Sequence, residues 1–154
     1  MRKLGLALTA ALVLAGTPSL SVADDGIPDL TGTWSVTLGT TILADGTVNQ
    51  HPQDYASHVF EITDQTGSVF KATHTLVPKE ETKTGTHSGT PLRGQTTNLI
   101  GAVDGTGPFV ILADIGDTTT FQCNLIDEET MRCLAAEAGD HAVASFMLLK
   151  RQQQ

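Results

Sequence analysis

Gly32-Thr33-Trp34-Ser35-Val36-Thr37-Leu38 is the stretch on which the fold turns. It carries the chain's one tryptophan, and it alternates apolar with polar side chains at the period of a half-buried strand. Outward from it, alternating or β-branched runs recur near residues 32–38, 57–64, 68–77, 96–103, 108–115, 118–126, 130–137 and 142–150, with turn residues between them and no long stretch of helical period. The expectation is an all-β chain of eight strands.

The connections decide how those strands are joined. Residues 65–67, 104–107, 116–117, 127–129 and 138–141 are short enough to be hairpin turns between neighbours. Residues 39–56 and 78–95 are long and mostly polar, as surface loops are, although Ile42, Leu43 and Val48 are placed to pack back or extend a strand. Eight strands joined mainly by hairpins predict an antiparallel up-and-down (meander) barrel, because closure removes both exposed edges. Connections then alternate between two ends. The end where the first strand finishes, the mouth, receives both long loops and the turns at 116–117 and 138–141. The opposite end, the base, receives the other turns and both chain termini.

Residues 1–23 read as an export signal: Arg2 and Lys3 precede an apolar run from Leu4 to Gly16, and Ser21-Val22-Ala23 has the small-x-small pattern of a cleavage site. The apolar run is shorter than the roughly 20 residues a retained spanning helix needs, so no membrane integration is expected. The remaining organisation is a lead-in over 24–31, a single barrel domain over 32–151 and a tail over 152–154. The signal holds two of the 9 basic residues and none of the 17 acidic ones, so the mature chain carries 7 against 17. That balance disfavours nucleic acid and anionic membrane surfaces as partners. Localisation is expected to be periplasmic or secreted after cleavage near Ala23.

Cys123 and Cys133 are an even count in an exported chain, which favours a disulfide. A hairpin folded about Glu128 sets them opposite each other, with Phe121 facing Ala135 and Leu125 facing Met131. Closing so short a loop stabilises the fold by roughly 2.5 to 3 kcal/mol on the loop-entropy model.

No nucleophile elbow, zinc-protease helix, phosphate loop or Cys-x-x-Cys is present, and no cofactor motif is found. Asp127-Glu128-Glu129 and Glu80-Glu81 fall in turns or loops and read as solvated charge. An enzyme is therefore the least favoured class. The histidines carry more information. His58, Phe60 and Ile62 share one strand face, as do Phe70, Ala72, His74 and Leu76. A three-residue loop at 65–67 pairs Ile62 with Phe70, Phe60 with Ala72 and His58 with His74, which points both imidazoles inward at the mouth. His51, His87 and His141 map to mouth loops. The expectation divides between ordinary rim histidines and a ligand site made of Tyr55, His58, Phe60, Phe70, His74 and His87, with His58 and His74 as candidate metal ligands and Asp54 as a further oxygen. Phe60, Phe70, Phe109, Phe121 and Phe146 lie on five strands, as a filled core requires, while a hollow chamber remains the other possibility.

The run Leu30-Thr31-Gly32-Thr33-Trp34, continued by Leu38-Gly39-Thr40 and answered by Lys150-Arg151 at the end of the last strand, resembles the calycin superfamily. That superfamily includes lipocalins, avidins and some bacterial metalloprotease inhibitors. It shares a Gly-x-Trp on the first strand covered by a basic residue from the last, so the resemblance implies structural roles for Trp34, Lys150 and Arg151. The first strand looks most like that of avidins. Biotin binding does not carry over, because Val36 and Thr40 stand where that family places a biotin-contacting asparagine and serine, and Trp34 is the only tryptophan. The functional expectation is an exported binding module taking a small apolar or amphiphilic molecule at the mouth. The alternative is a protein-interaction module such as a protease inhibitor acting through residues 24–30.

Overall fold

The structure, a computed structural model, describes residues 26–54, 56–79, 86–87, 90–91, 94–140 and 142–153. The predicted signal, Tyr55 and His141 lie outside the described residues, and so do most of the 78–95 loop and the side chain of His87. Eight strands build the barrel: β1 Gly32–Leu43, β2 Ala56–Thr66, β3 Val69–Pro78, β4 Gln95–Val103, β5 Phe109–Asp114, β6 Thr120–Asp127, β7 Thr130–Glu137 and β8 Val143–Arg151. Each pairs antiparallel with its chain neighbour, and β8 closes back on β1, with Trp34 opposite Arg151 and Leu43 opposite Val143. This is the expected all-β, eight-stranded up-and-down barrel.

β1 extends past its expected end, and Val48–Asn49 folds back to pair with Thr41 and Ile42. A bulge at Thr37 lies between the pairs Val36 with Leu149 and Leu38 with Leu148. The extra residue reverses which side chains face inward. Trp34 and Val36 point into the barrel below it and Gly39 and Thr41 above it, while Leu38 and Ile42 turn to solvent.

The lower half of the interior is packed with apolar side chains. Trp34, Ile62, Phe70, Leu99, Val110, Leu112, Met131 and Leu149 form one buried cluster with the Cys123–Cys133 disulfide, whose two residues stand directly opposite in the β6–β7 register, as do Phe121 with Ala135 and Leu125 with Met131. Phe109 and Phe146 do not join it. Val110 and Met147 take the inward positions on their strands, leaving Phe109 41% exposed on the outer wall, so the core holds three phenylalanines and not five.

The lead-in is a plug. Leu30 is 1% exposed inside the base, and Ile27 packs against the same cluster. Gln65 clamps the segment, accepting from Leu30 N at 2.8 Å and donating to Pro28 O at 2.8 Å. Trp34 Nε1 donates to Leu30 O at 3.0 Å, and Arg151 donates to Asp29 O at 2.5 Å while its guanidinium lies 4.7 Å from the Trp34 ring centre. Burying Leu30 contributes roughly 2 kcal/mol, and the cation–π contact about 1 kcal/mol. From Ile27 onward the lead-in is therefore part of the folded body.

Candidate functional site

The chain between β2 and β3 turns tightly at Gly67, in the left-handed region at φ 55°, with Thr66 paired to Val69. A bulge at Thr63 restores the facing of the residues above it. Phe60 consequently stands opposite His74, and His58 opposite Leu76, two residues away from the register expected from sequence. A shift of two keeps every side chain on its face. The two imidazoles still meet, now diagonally, with His58 Nδ1 3.2 Å from His74 Nε2.

Their ring planes lie 12° apart with centroids 5.4 Å apart, a separation close to the nitrogen–nitrogen distance plus two ring radii. The rings therefore meet edge to edge through an N–H···N bond, an arrangement suited to two neutral imidazoles. His74 also lies over Phe60, with centroids 4.4 Å apart, and both rings meet Phe121 edge-on at 5.9 and 5.3 Å. Burial, and then the neighbouring His58, push the His74 pKa down to about 4, against a smaller upward pull from Asp114.

Around this aromatic floor the inward positions nearer the mouth are mixed: Leu43, Leu76 and Val143 are apolar, and the others are small or polar. β1 gives Gly39 and Thr41, β2 Ala56, β4 Thr97, β5 Asp114, β7 Ala135 and Glu137, and β8 Ser145. Thr41 and Ser145 share a hydrogen bond of 2.9 Å across the β1–β8 seam. Thr97, opposite His74 in the β3–β4 register, has a buried hydroxyl oxygen with no hydrogen-bond partner. The buried Gln53 Oε1 in the short helical turn Pro52–Asp54 is likewise unpartnered. Such atoms mark places where solvent or a ligand belongs. A cleft of about 360 Å³ opens at the rim, lined by Thr97, Asn98, Asp114, Ile115 and Asp117.

Of the side chains expected at the site, His58, Phe60 and His74 are brought together. Phe70 is not among them. It lies in the base half, its ring filling the space a side chain at Gly101 would need. His51 is exposed on the 39–56 connection, and Tyr55 and the His87 side chain lie outside the described residues. Thr97, Asp114, Thr41 and Ser145 escaped the sequence reading. The signal available for two of them was strand parity, since Thr97 lies two residues before inward Leu99 and Asp114 two after inward Leu112. As for a metal, the imidazole pair offers two nitrogens, and among the described residues no group of three or more His, Cys, Asp or Glu converges on one point.

A larger groove of about 850 Å³ runs along the outer wall over Val69, Lys71, Ile100, Ala102, Ile111 and Ala113. Its charged groups, Lys71 and Asp64, are spent on each other at 3.6 Å in solvent. The mouth holds the denser set of hydrogen-bonding groups, among them Thr41, Thr97, Asp114 and Ser145.

No protein-family model matches this chain, and no curated protein matches it. The solved structures that match include two barrels. EF1p2_mFAP2b bound to DFHBI superposes with a TM-score of 0.52 at 13% identity, covering 87% of this chain and 100% of that one. A redesigned beta barrel superposes at 0.45 with 12% identity, covering 80% of this chain and 92% of that one. At these identities the likeness is one of barrel architecture.

Proposed function

We propose that this protein is an exported binding module that takes a small molecule at the mouth of its barrel. The observation that carries the reading is the change of character half-way up the interior. Below Phe60 and Phe121 the side chains interlock. Above them the inward set is mostly short, with Gly39, Thr41, Ala56, Thr97, Ala135 and Ser145 standing among the larger Leu43, Leu76 and Val143, in a barrel whose width suits one small ligand. Ligand sites combine such space with a few convergent polar groups and a perturbed titratable residue. His58, His74, Thr97 and Asp114 supply them. The barrel with DFHBI bound is a precedent for a small molecule held by this architecture. The Arg151 guanidinium over Trp34 supports a calycin-like reading of the fold, and the disulfide supports an oxidising, extracytoplasmic location.

A protein-interaction role is the second reading, favoured by the apolar outer-wall groove with Val69 58% and Ile100 53% exposed. Inhibition through residues 24–30 is disfavoured, because Ile27 to Leu30 are bound into the base. Native mass spectrometry of the mature protein, taken untagged from its own envelope fraction without reductant, separates these readings. A discrete added mass lost in a His58→Ala/His74→Ala variant supports the mouth site. The bare polypeptide mass less two hydrogens, in both proteins, moves the reading to a protein partner.

A further inference from the structure

Resting on the mouth as a ligand site, we infer that it selects a positively charged ligand, an ammonium carried on an apolar or aromatic body, over a neutral or anionic one of the same shape. Charge is divided unevenly between the two ends. Among the described residues the mouth carries Asp45, Asp54, Asp114, Asp117, Glu137 and Asp140 against Lys79, six acids to one base, while the base half carries Asp29, Glu61, Asp64, Asp104, Asp127, Glu128 and Glu129 against Lys71, Arg132, Lys150 and Arg151, seven acids to four bases. The loop between β3 and β4 adds Glu80 and Glu81 against Lys83 and Arg93, and so no net charge. A funnel of one sign raises the local concentration of the opposite ion and repels the like one.

The interior of the mouth matches its rim. Asp114 and Glu137 occupy inward positions, and no lysine or arginine does so among the described mouth residues. The His74 imidazole is held neutral by its burial, and the unpartnered Thr97 hydroxyl accepts a hydrogen bond as readily as it donates one. The floor is the His74 ring lying over Phe60, with Phe121 edge-on to both, and carries no cationic side chain. A carboxylate entering here would meet acids and no counter-charge. An ammonium meets the Asp114 carboxylate and the Thr97 hydroxyl oxygen, and its apolar body the buried aromatic floor.

Three probes of matched shape test this: phenethylammonium, phenethyl alcohol and phenylpropanoate, titrated into the mature, disulfide-bonded protein at neutral pH. Calorimetry gives affinity, and backbone NMR shifts give the place. The ammonium is expected to bind about tenfold or more tighter than the carboxylate at low salt, with the gap narrowing as salt rises. Asp114→Asn, which still accepts the 2.8 Å bond from Gly116 N, is expected to narrow it several-fold, and Glu137→Gln to act in the same direction. Equal or tighter binding of the alcohol or carboxylate, with shifts at Thr97 and Asp114, overturns the charge preference and leaves the site reading intact. No shift at the mouth with any probe, or shifts confined to Val69, Ile100 and Ile111, overturns the site reading and this inference with it.

Discussion

Replacing His74 with glutamine is expected to remove most of the protein's stability change between neutral and mildly acid pH. His74 sits against Phe60 and Phe121 with its pKa lowered from 6.5 to about 4. In the unfolded chain the imidazole takes its proton near 6.5, and in the folded barrel only near 4, so over that interval the unfolded state binds more protons and stability falls as pH falls. The contribution is whole above 6.5 and gone below 4. A displacement of that size corresponds to about 3 kcal/mol. The titratable groups near it are His58 on β2 and Asp114 on β5. The shift belongs to His74, so replacing it takes most of the slope. Hydrogen bonds from Thr47, Thr106 and Thr130 hold Asp45, Asp104 and Asp127 below the ordinary carboxylate range, so their contribution is lost only below about pH 4. In urea, with a slope of about 1 to 3 kcal/mol per molar, the wild-type midpoint should drop by roughly 1 to 3 M between pH 7 and 4.5. His74→Gln should show little change over the same range. An unchanged wild-type midpoint, or the same drop in the variant, would refute the buried neutral imidazole.

Further predictions concern the frame that carries the site. Gly101→Ala should destabilise by several kcal/mol, because a Cβ there would lie 2.2 Å from the Phe70 ring and 2.9 Å from the Ile111 carbonyl oxygen; Gly101→Ala/Phe70→Ala should be less damaging than additivity requires in a denaturation cycle. Leu30→Ala should cost about 2 to 4 kcal/mol by thermal denaturation, whereas a separable arm would give almost no change. Serine at both Cys123 and Cys133 should lower stability by about 3 kcal/mol while leaving the strand content seen by circular dichroism in place.

The meander was legible because its evidence is local. Alternation identified each strand, short turns fixed the neighbours, and the cysteine pair pinned one register to the residue. What stayed hidden depended on single extra residues. The bulges at Thr37 and Thr63 leave no mark in composition, yet one turns Leu38 and Ile42 outward, and the other, with the tighter turn at Gly67, changes the partner of His58 from His74 to Leu76. Phe109 and Phe146 misled for a related reason, since aromatic character says nothing about facing when the adjacent Val110 and Met147 are equally apolar. Leu30 stood alone in a polar lead-in, and only the Gln65 clamp and the Trp34 indole disclose why it is buried. At the site, the imidazole pair was visible because both histidines alternate with apolar residues. Thr97 and Asp114 lay near strand ends, where polar residues are ordinary.

The most direct test of a barrel packed at its base and open to a ligand at its mouth is a high-resolution crystal structure of the protein purified from its native source. The account predicts ordered solvent or ligand density bonded to Thr97 Oγ1 and reaching toward Asp114 and the His58–His74 pair, with none among Trp34, Leu99 and Leu149. A dry mouth in which Thr97 bonds to a neighbouring side chain and the interior is filled to the rim would contradict it.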